Sequence, residues 1–340
     1  MKLITSAAAL RITICIALLV GVTMIGIPFL TSMPGKSHRG PLPPLTQQQA
    51  ELSTALRLSV ATLAGNIGER NYIYLKNLNA AAEFIEQSLT RTGLRVQRHQ
   101  YSVDGKTYYN IEAEKKGRGD ADRIIVIGAH YDSVLGSPGA NDNASGIAAL
   151  LALARGFAEK KAMSTIRFVA FSNEEPPFFW TKDMGSYVYA KLCKERGENI
   201  AGMLSLETIG CYYETEGTQH YMFPLGFFYP SQGNFIALVS NLSSRKLLKE
   251  AVSAFRRNAS FPSEGGSFPW FTPGVFWSDH WPFWKMGYPA LLVTDTALFR
   301  YPYYHTAEDT PDKLDYDRLA RVVTGLDKGI GELAGIQEAE

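Results

Sequence analysis

Cysteine is scarce: 340 residues hold three, at Cys15, Cys193 and Cys211. Three cysteines make no disulfide framework. None stands at zinc-ligand spacing from another or from a histidine, which argues against a thiolate metal site. Cys15 falls in an apolar N-terminal run, so Cys193 and Cys211 are the one conceivable pair, and both are expected to be buried free thiols. Net charge is nearly absent as well, with 34 Lys and Arg against 33 Asp and Glu. A balance of +1 gives no electrostatic reason to expect nucleic acid or an anionic membrane surface as partner. There is no internal repeat and no low-complexity tract. What remains is an ordinary globular composition, 46% hydrophobic and 20% charged, long enough for one large α/β domain or two small ones.

Charge is also missing from one long stretch. Lys2 and Arg11 are followed by Ile12–Leu30 without a charged residue. That run has roughly the ~20 apolar residues a membrane-spanning helix needs. It exceeds the ~7–15 residues of a cleavable signal and has no small-residue cleavage site near Phe29-Leu30-Thr31-Ser32-Met33. An uncleaved single-pass anchor is therefore expected over residues 1–32. Its basic end would stay cytoplasmic and the remainder would be exported to the periplasm or cell exterior; a cleaved signal and a secreted protein are the alternative. Residues 33–45 (MPGKSHRGPLPPL) are Pro/Gly-rich and read as a linker. Residues 46–340 form the remaining domain.

Within that domain, helical spacing is visible over Thr46–Leu63 and Leu78–Thr92, the latter stopped by Gly93. Leu94–Val103 and Lys106–Glu114 alternate around Asp104-Gly105, a hairpin signal. A short β-branched run at Arg123–Ala129 and short apolar runs at Thr165–Phe171, Ile200–Leu206, Phe235–Ser240 and Pro289–Thr294 read as strands. Helical stretches alternate with them at Ala148–Phe157, Asp183–Glu195, Ser244–Arg257 and Tyr316–Ala334. Strands alternating with helices predict an α/β fold with a mostly parallel, mixed central sheet covered on both faces.

The chemistry gathers at the strand ends. The run Arg123–Ala129 delivers His130, and a glycine-rich loop then brings Asp142 to a helix start. Thr165–Phe171 ends at Glu174-Glu175, Ile200–Leu206 ends at Glu207, and His305 comes late in the chain. Open α/β sheets bind ligands at such strand ends. Histidine and carboxylate donors without thiolate suit zinc or another divalent first-row metal at a hydrolytic site. The donor count exceeds one catalytic zinc and fits two metals sharing a bridging carboxylate. In an adjacent Glu pair, one carboxylate can bind metal while the other is free as base.

These residues resemble the co-catalytic di-zinc aminopeptidases, a superfamily shared with glutamate carboxypeptidase and glutaminyl cyclase. The resemblance is carried by His130-Tyr-Asp132-Ser, Asn141-Asp142-Asn-Ala-Ser-Gly146, Phe171-Ser-Asn-Glu174-Glu175, Ser205-Leu-Glu207-Thr-Ile-Gly210, Ser278-Asp279-His280 and His305-Thr-Ala-Glu-Asp309-Thr310. It covers the chain from about Ile124 onward and implies the zinc-peptidase (phosphorylase/hydrolase-like) fold. It implies two Zn2+ ions bridged by Asp142, with His130 and Glu207 completing one site and Glu175 and His305 the other. Glu174 would be the general acid/base and Asp132 would orient His130. The implied activity is hydrolysis of N-terminal peptide bonds by metal-activated water, with peptides or N-terminal aminoacyl compounds as substrates. Two positions depart from the family pattern: Glu207 stands where aspartate is frequent, and Pro176-Pro177-Phe178-Phe179-Trp180 replaces a Gly-rich turn.

Two other activities fit parts of this pattern. A glutaminyl cyclase uses one zinc on the same scaffold, and a non-catalytic receptor-like ectodomain would have lost its ligands; retention of all five donors argues against both. His38, His99 and His220 are expected at the surface, while His280 is either near the site or structural. The sequon Asn143-Ala-Ser145 lies in the metal loop, where a glycan is hard to fit. Late aromatics (Phe268, Trp270, Phe271, Phe276, Trp277, Trp281, Phe283, Trp284, Tyr301, Tyr303, Tyr304) flank His280 and His305, and some are expected to wall an apolar pocket.

Overall fold

The computed structural model describes residues 5–269 and 272–336. Lys2, Trp270 and Phe271 therefore lie outside the described residues. Helix α1 spans Ser6–Gly21, a π-helical turn covers Val22–Gly26, and α2 is Ile27–Thr31. The expected membrane span is thus divided. At about 1.5 Å per residue α1 reaches roughly 24 Å, short of a ~30 Å hydrocarbon core. Pro28, in the first turn of α2, lacks an N–H to donate to the preceding ladder. Among the described residues no helix is long and apolar enough to cross a membrane, which corrects the expectation for this segment. Its end is docked instead: Arg245 donates to the carbonyls of Phe29 and Leu30 and lies 4.4 Å over the Phe29 ring. The Pro/Gly stretch after it also follows the domain surface, with Pro34 O accepting from Arg256 and Pro43 O from Arg321.

The helices and strands that follow are α3 (Gln47–Val60), α4 (Leu75–Thr90), β1 (Arg95–Val103), β2 (Lys106–Lys115), β3 (Arg123–His130), α5 (Ser145–Phe157), β4 (Thr165–Phe171), α6 (Gly185–Glu195), β5 (Asn199–Glu207), β6 (Ile236–Asn241), α7 (Arg245–Asn258), β7 (Ser263–Phe268), α8 (His280–Lys285), β8 (Ala290–Thr294) and α9 (Tyr316–Leu333). Helix α3 opens with a capping box, Thr46 accepting from Gln49 N while Gln49 reaches back to the Thr46 N–H. The strands join in one mixed sheet in the order β1-β2-β4-β3-β5-β8-β6-β7. The centre, β4-β3-β5-β8, is parallel, as is β6 to β7; the hairpin β1-β2 joins β4 antiparallel, and β6 runs antiparallel to β8.

Both faces are covered, and the period-2 alternation of β3 makes this visible. Ile125, Ile127 and Ala129 enter the larger core under α3, α4, α5, α7 and α9. Ile124 and Val126 enter the smaller one, where Tyr189 and Cys193 of α6 meet Phe283 of α8. Cys193 and Cys211 are buried and unpaired. Strand β7 and helix α8 were not legible in the sequence. SEGGSF lacks the β-branched residues that mark strands, and HWPFWK carries a proline.

Candidate metal centre

The carboxyl ends of β3, β4 and β5 lie side by side, and each hands over to a sharply turning chain. Asn173 before Glu174, Thr208 after Glu207, and His305 itself are left-handed, with φ of 60°, 44° and 58°. Non-glycine residues there cost of order 1–3 kcal/mol each and cluster at functional sites. The Tyr131 N–H continues the β3–β4 pairing one step further, donating to Phe171 O at 2.8 Å, so His130 is held beside Asn173–Glu175.

Asp142 is placed by its neighbours. Asn141 accepts from Gly210 N at 2.8 Å and donates to Asp295 at 2.9 Å. Asn143 donates to Leu206 O at 2.8 Å and accepts from Gly146 N and Thr208 N. Each asparagine uses both its donor and its acceptor, which staples the loop to the end of β5. Gly146 lets α5 start this close: a Cβ there would sit 2.5 Å from Leu206 O. Asn143 is fully buried, so its sequon has no room for a glycan.

The five expected donors converge in two groups, His130–Asp142–Glu207 and Asp142–Glu175–His305. Asp142 belongs to both. Its Oδ1 lies 3.2 Å from His130 Nε2 and its Oδ2 lies 3.0 Å from His305 Nε2. Glu207 Oε2 is 3.0 Å from His130 Nε2, and Glu175 Oε2 is 3.4 Å from His305 Nε2. His130, Asp142, Glu175 and Glu207 are buried, while the His305 side chain is 32% exposed and opens the site to solvent.

Glu174 belongs to neither group. Its Oε2 stands 4.0 Å from His130 Nε2. The carboxylate of Asp132 accepts the N–H of Glu174 at 3.1 Å and of Glu175 at 3.0 Å, so one side chain fixes the Glu pair. Asp132 was expected to orient His130, and its Oδ1 is 3.5 Å from His130 Nδ1. The shorter contact from that nitrogen, 3.2 Å, is to Asp132's own backbone carbonyl.

Three further residues support these donors. Asp309 accepts from Asn141 N, Asp142 N and the Tyr301 hydroxyl. Ser278 donates to Glu207 Oε2 at 2.7 Å. Arg70 is fully buried and gives its guanidinium to the carbonyls of Tyr131, Pro138, Gly139 and Gly68. The Asp309 and Ser278 stretches stand in motifs quoted above, but Arg70 sits in a plain loop with nothing to mark it.

Electrostatics follow from crowding acids into a largely buried site. Burial pushes the Glu174 carboxyl well above its ordinary value, with Glu175 and Glu207 adding to the push against the pull of His130. Burial and Asp142 together hold Glu175 up at about 7. Burial opposes ionisation of Asp142, but the imidazoles of His130 and His305 close beside it override that and keep its carboxylate low. Burial would lower His305, yet Asp142 and Glu175 raise it to about 11.

Metal fits this donor set. His130 Nε2, Asp142 Oδ1 and Glu175 Oε1 are buried without a hydrogen-bond partner. Such atoms are costly unless something else satisfies them. Each group offers three nitrogen or oxygen donors, the complement of a catalytic zinc with one position open.

Beside the centre lies a cavity of about 420 Å³ with mainly apolar walls, reaching from Glu174, Glu175, Glu207 and His305 to β6 and β7. Of the late aromatics, Phe268, Trp277 and Tyr304 line it. Phe276 stacks on Trp180, Phe283 packs in the core and Trp284 meets His280 edge-on. His280 is structural: fully buried, its Nε2 is 2.7 Å from Val275 O. His99 corrects the expectation of a surface residue, since it is largely buried and 3.0 Å from Glu112.

Comparison with known proteins agrees with this architecture. The model of peptidase family M28 matches residues 110–326. The uncharacterized protein YfbL of Escherichia coli (strain K12) is 36% identical over 281 residues, 80% of this chain and 85% of that protein. The aminopeptidase YwaD of Bacillus subtilis (strain 168) is 29% identical over 205 residues, 58% of this chain but only 38% of that one. In fold the chain is similar to BSAP, a zinc aminopeptidase from Bacillus subtilis, with a TM-score of 0.68, 16% identity, and 85% and 96% of the two chains covered.

Proposed function

The chain belongs to peptidase family M28, and we propose that it is a zinc-dependent aminopeptidase whose two metal ions share Asp142. The observation that carries this reading is the pair of three-donor groups meeting at one carboxylate, with a further buried glutamate beside them but outside both. In it, His130, Asp142 and Glu207 would hold one ion, and Asp142, Glu175 and His305 would hold the other.

Bound zinc would supply Lewis acidity, polarising the scissile carbonyl and acidifying the attacking water. The protein's own contribution is proton movement and positioning. Glu174 accepts the proton of the water and returns it to the departing amine, which is too basic to leave unprotonated. Asp132 anchors the backbone of Glu174 and Glu175, which keeps the base and the ligand in separate roles. Ser278 takes one lone pair of Glu207 and so limits which oxygen faces the metal. The apolar cavity beside the centre receives the side chain of the first residue.

A glutaminyl cyclase of the one-zinc kind would need only one donor group, and the second is intact here. A panel of aminoacyl and N-terminal glutaminyl substrates, assayed with and without a chelator, tests the reading. Release of the first residue, lost on chelation and restored by zinc, is expected. Cyclisation of glutaminyl substrates without hydrolysis, or turnover by metal-free protein, would overturn it.

A further inference from the structure

The cavity has a second polar end that the hydrolytic reading leaves unused. Register partners run in one row across four strands: Glu207 pairs with Thr294, Thr294 with Ala237, and Ala237 with Glu264. Neighbouring strands lie about 4.8 Å apart, so the row spans roughly 14 Å from a metal-facing carboxylate to Glu264 on the edge strand. All four residues line the same cavity. Its floor is kept low by Ala237 and Gly266; a Cβ on Gly266 would come within 2.7 Å of the Tyr229 hydroxyl.

Glu264 is not consumed by the fold. Its closest cation is Arg256 Nη2 at 3.9 Å, beyond hydrogen-bond distance. The Arg256 donors go elsewhere, to Ser263 Oγ, Ser263 O, Pro34 O and Gly35 O. The Glu264 side chain is 24% exposed, and burial raises its carboxyl against the charges of Arg256 and Arg39.

We propose that Glu264 is a specificity residue for a substrate whose first side chain is a long aliphatic stem ending in a cation, as in lysine or arginine. The inference rests on the reading of the neighbouring carboxylates and histidines as the metal centre. The stem lies along Ala237, Val239 and Leu292, while its charged head meets Glu264. A lysine chain reaches roughly 6 Å from Cα to nitrogen, and a charge-assisted hydrogen bond adds about 2.8 Å. The scissile carbonyl at the metal end takes up the rest of the row.

The test compares kcat/KM for peptides beginning with lysine or norleucine, which share the stem and differ in the ammonium, on zinc-loaded wild type and Glu264→Gln. The lysine-to-norleucine ratio is expected to fall at least tenfold in the variant. Hydrolysis of both with an unchanged ratio would overturn the proposal and leave Glu264 as a charge that guards a sheet edge. Calorimetric binding of free L-lysine and L-norleucine to the same proteins separates the two failures. Glu264-dependent preference for lysine without peptide hydrolysis would retain the pocket and reject the aminopeptidase reading. Equal binding of both amino acids by the wild type would reject the pocket.

Discussion

The carboxylate of Asp309 accepts the backbone N–H of Asp142 at 3.1 Å, so the residue shared by the two donor groups is steered from a stretch far along the chain. The same carboxylate accepts the Asn141 N–H at 2.8 Å and is itself held by the Tyr301 hydroxyl. Replacing Asp309 by Asn substitutes an amide donor for one of the acceptors and turns it against a backbone N–H. Zinc affinity should fall about 10–100-fold, while far-ultraviolet circular dichroism stays as in the wild type. Unaltered affinity in a zinc titration of the Asn variant would show that Asp309 does not set the position of Asp142.

Arg70 supports the same loop from the other side. Its planar fork satisfies four carbonyls at once, which a lysine cannot do. Truncation to Ala leaves those oxygens buried and unpaired, at about 1–3 kcal/mol for each that water cannot reach. Urea unfolding should show a loss of about 3 kcal/mol or more for Arg70→Ala, with Arg70→Lys recovering only part of it. Equal stability of Lys variant and wild type would mean that charge alone suffices.

Much of this site was readable beforehand because its donors sit where sequence patterns are strongest. His130 ends a β-branched run, Glu207 ends a short apolar one, and Asp142 precedes an Ala/Leu-rich helix. What escaped was either unpatterned or set by tertiary contact. Strand β7 is legible only through its pairing with β6, which lets Gly265 and Gly266 stand in a sheet despite their propensity. Arg70 is defined by the carbonyls around it, which no local spacing encodes. The N-terminal run shows the opposite failure. Its hydrophobic length is plain, but length alone does not reveal the π-helical turn within it.

His280 makes stability depend on pH. Burial lowers its imidazole to about 4, and its Nδ1 has no partner, so the folded protein keeps it neutral. In the unfolded chain the group returns to about 6.5 and binds a proton more readily. Its contribution to stability is therefore present at neutral pH and lost as pH falls from about 6.5 towards 4. Between pH 7 and pH 4.5 this group should cost about 2 kcal/mol. The difference in unfolding free energy between those pH values should shrink by that amount in His280→Gln, which keeps a side-chain N–H for Val275 O. An unchanged pH difference would reject the assignment.

The proposed function gives the adjacent glutamates different roles, Glu174 as base and Glu175 as metal ligand. Glu174→Gln keeps size and hydrogen bonding but cannot take a proton, so peptide turnover should fall about 10²–10⁴-fold or more with zinc content unchanged. Glu175→Gln should lower zinc content and rate together. Loss of zinc from the Glu174 variant with retention in the Glu175 variant would reverse the two roles.

The central claim is that two metal ions meet at Asp142, and the most direct measurement is zinc bound per chain at saturation, for wild type and Asp142→Ala. The account predicts two ions in the wild type and the loss of both tight sites in the variant. A single ion in the wild type, or one tight site surviving without Asp142, would contradict it.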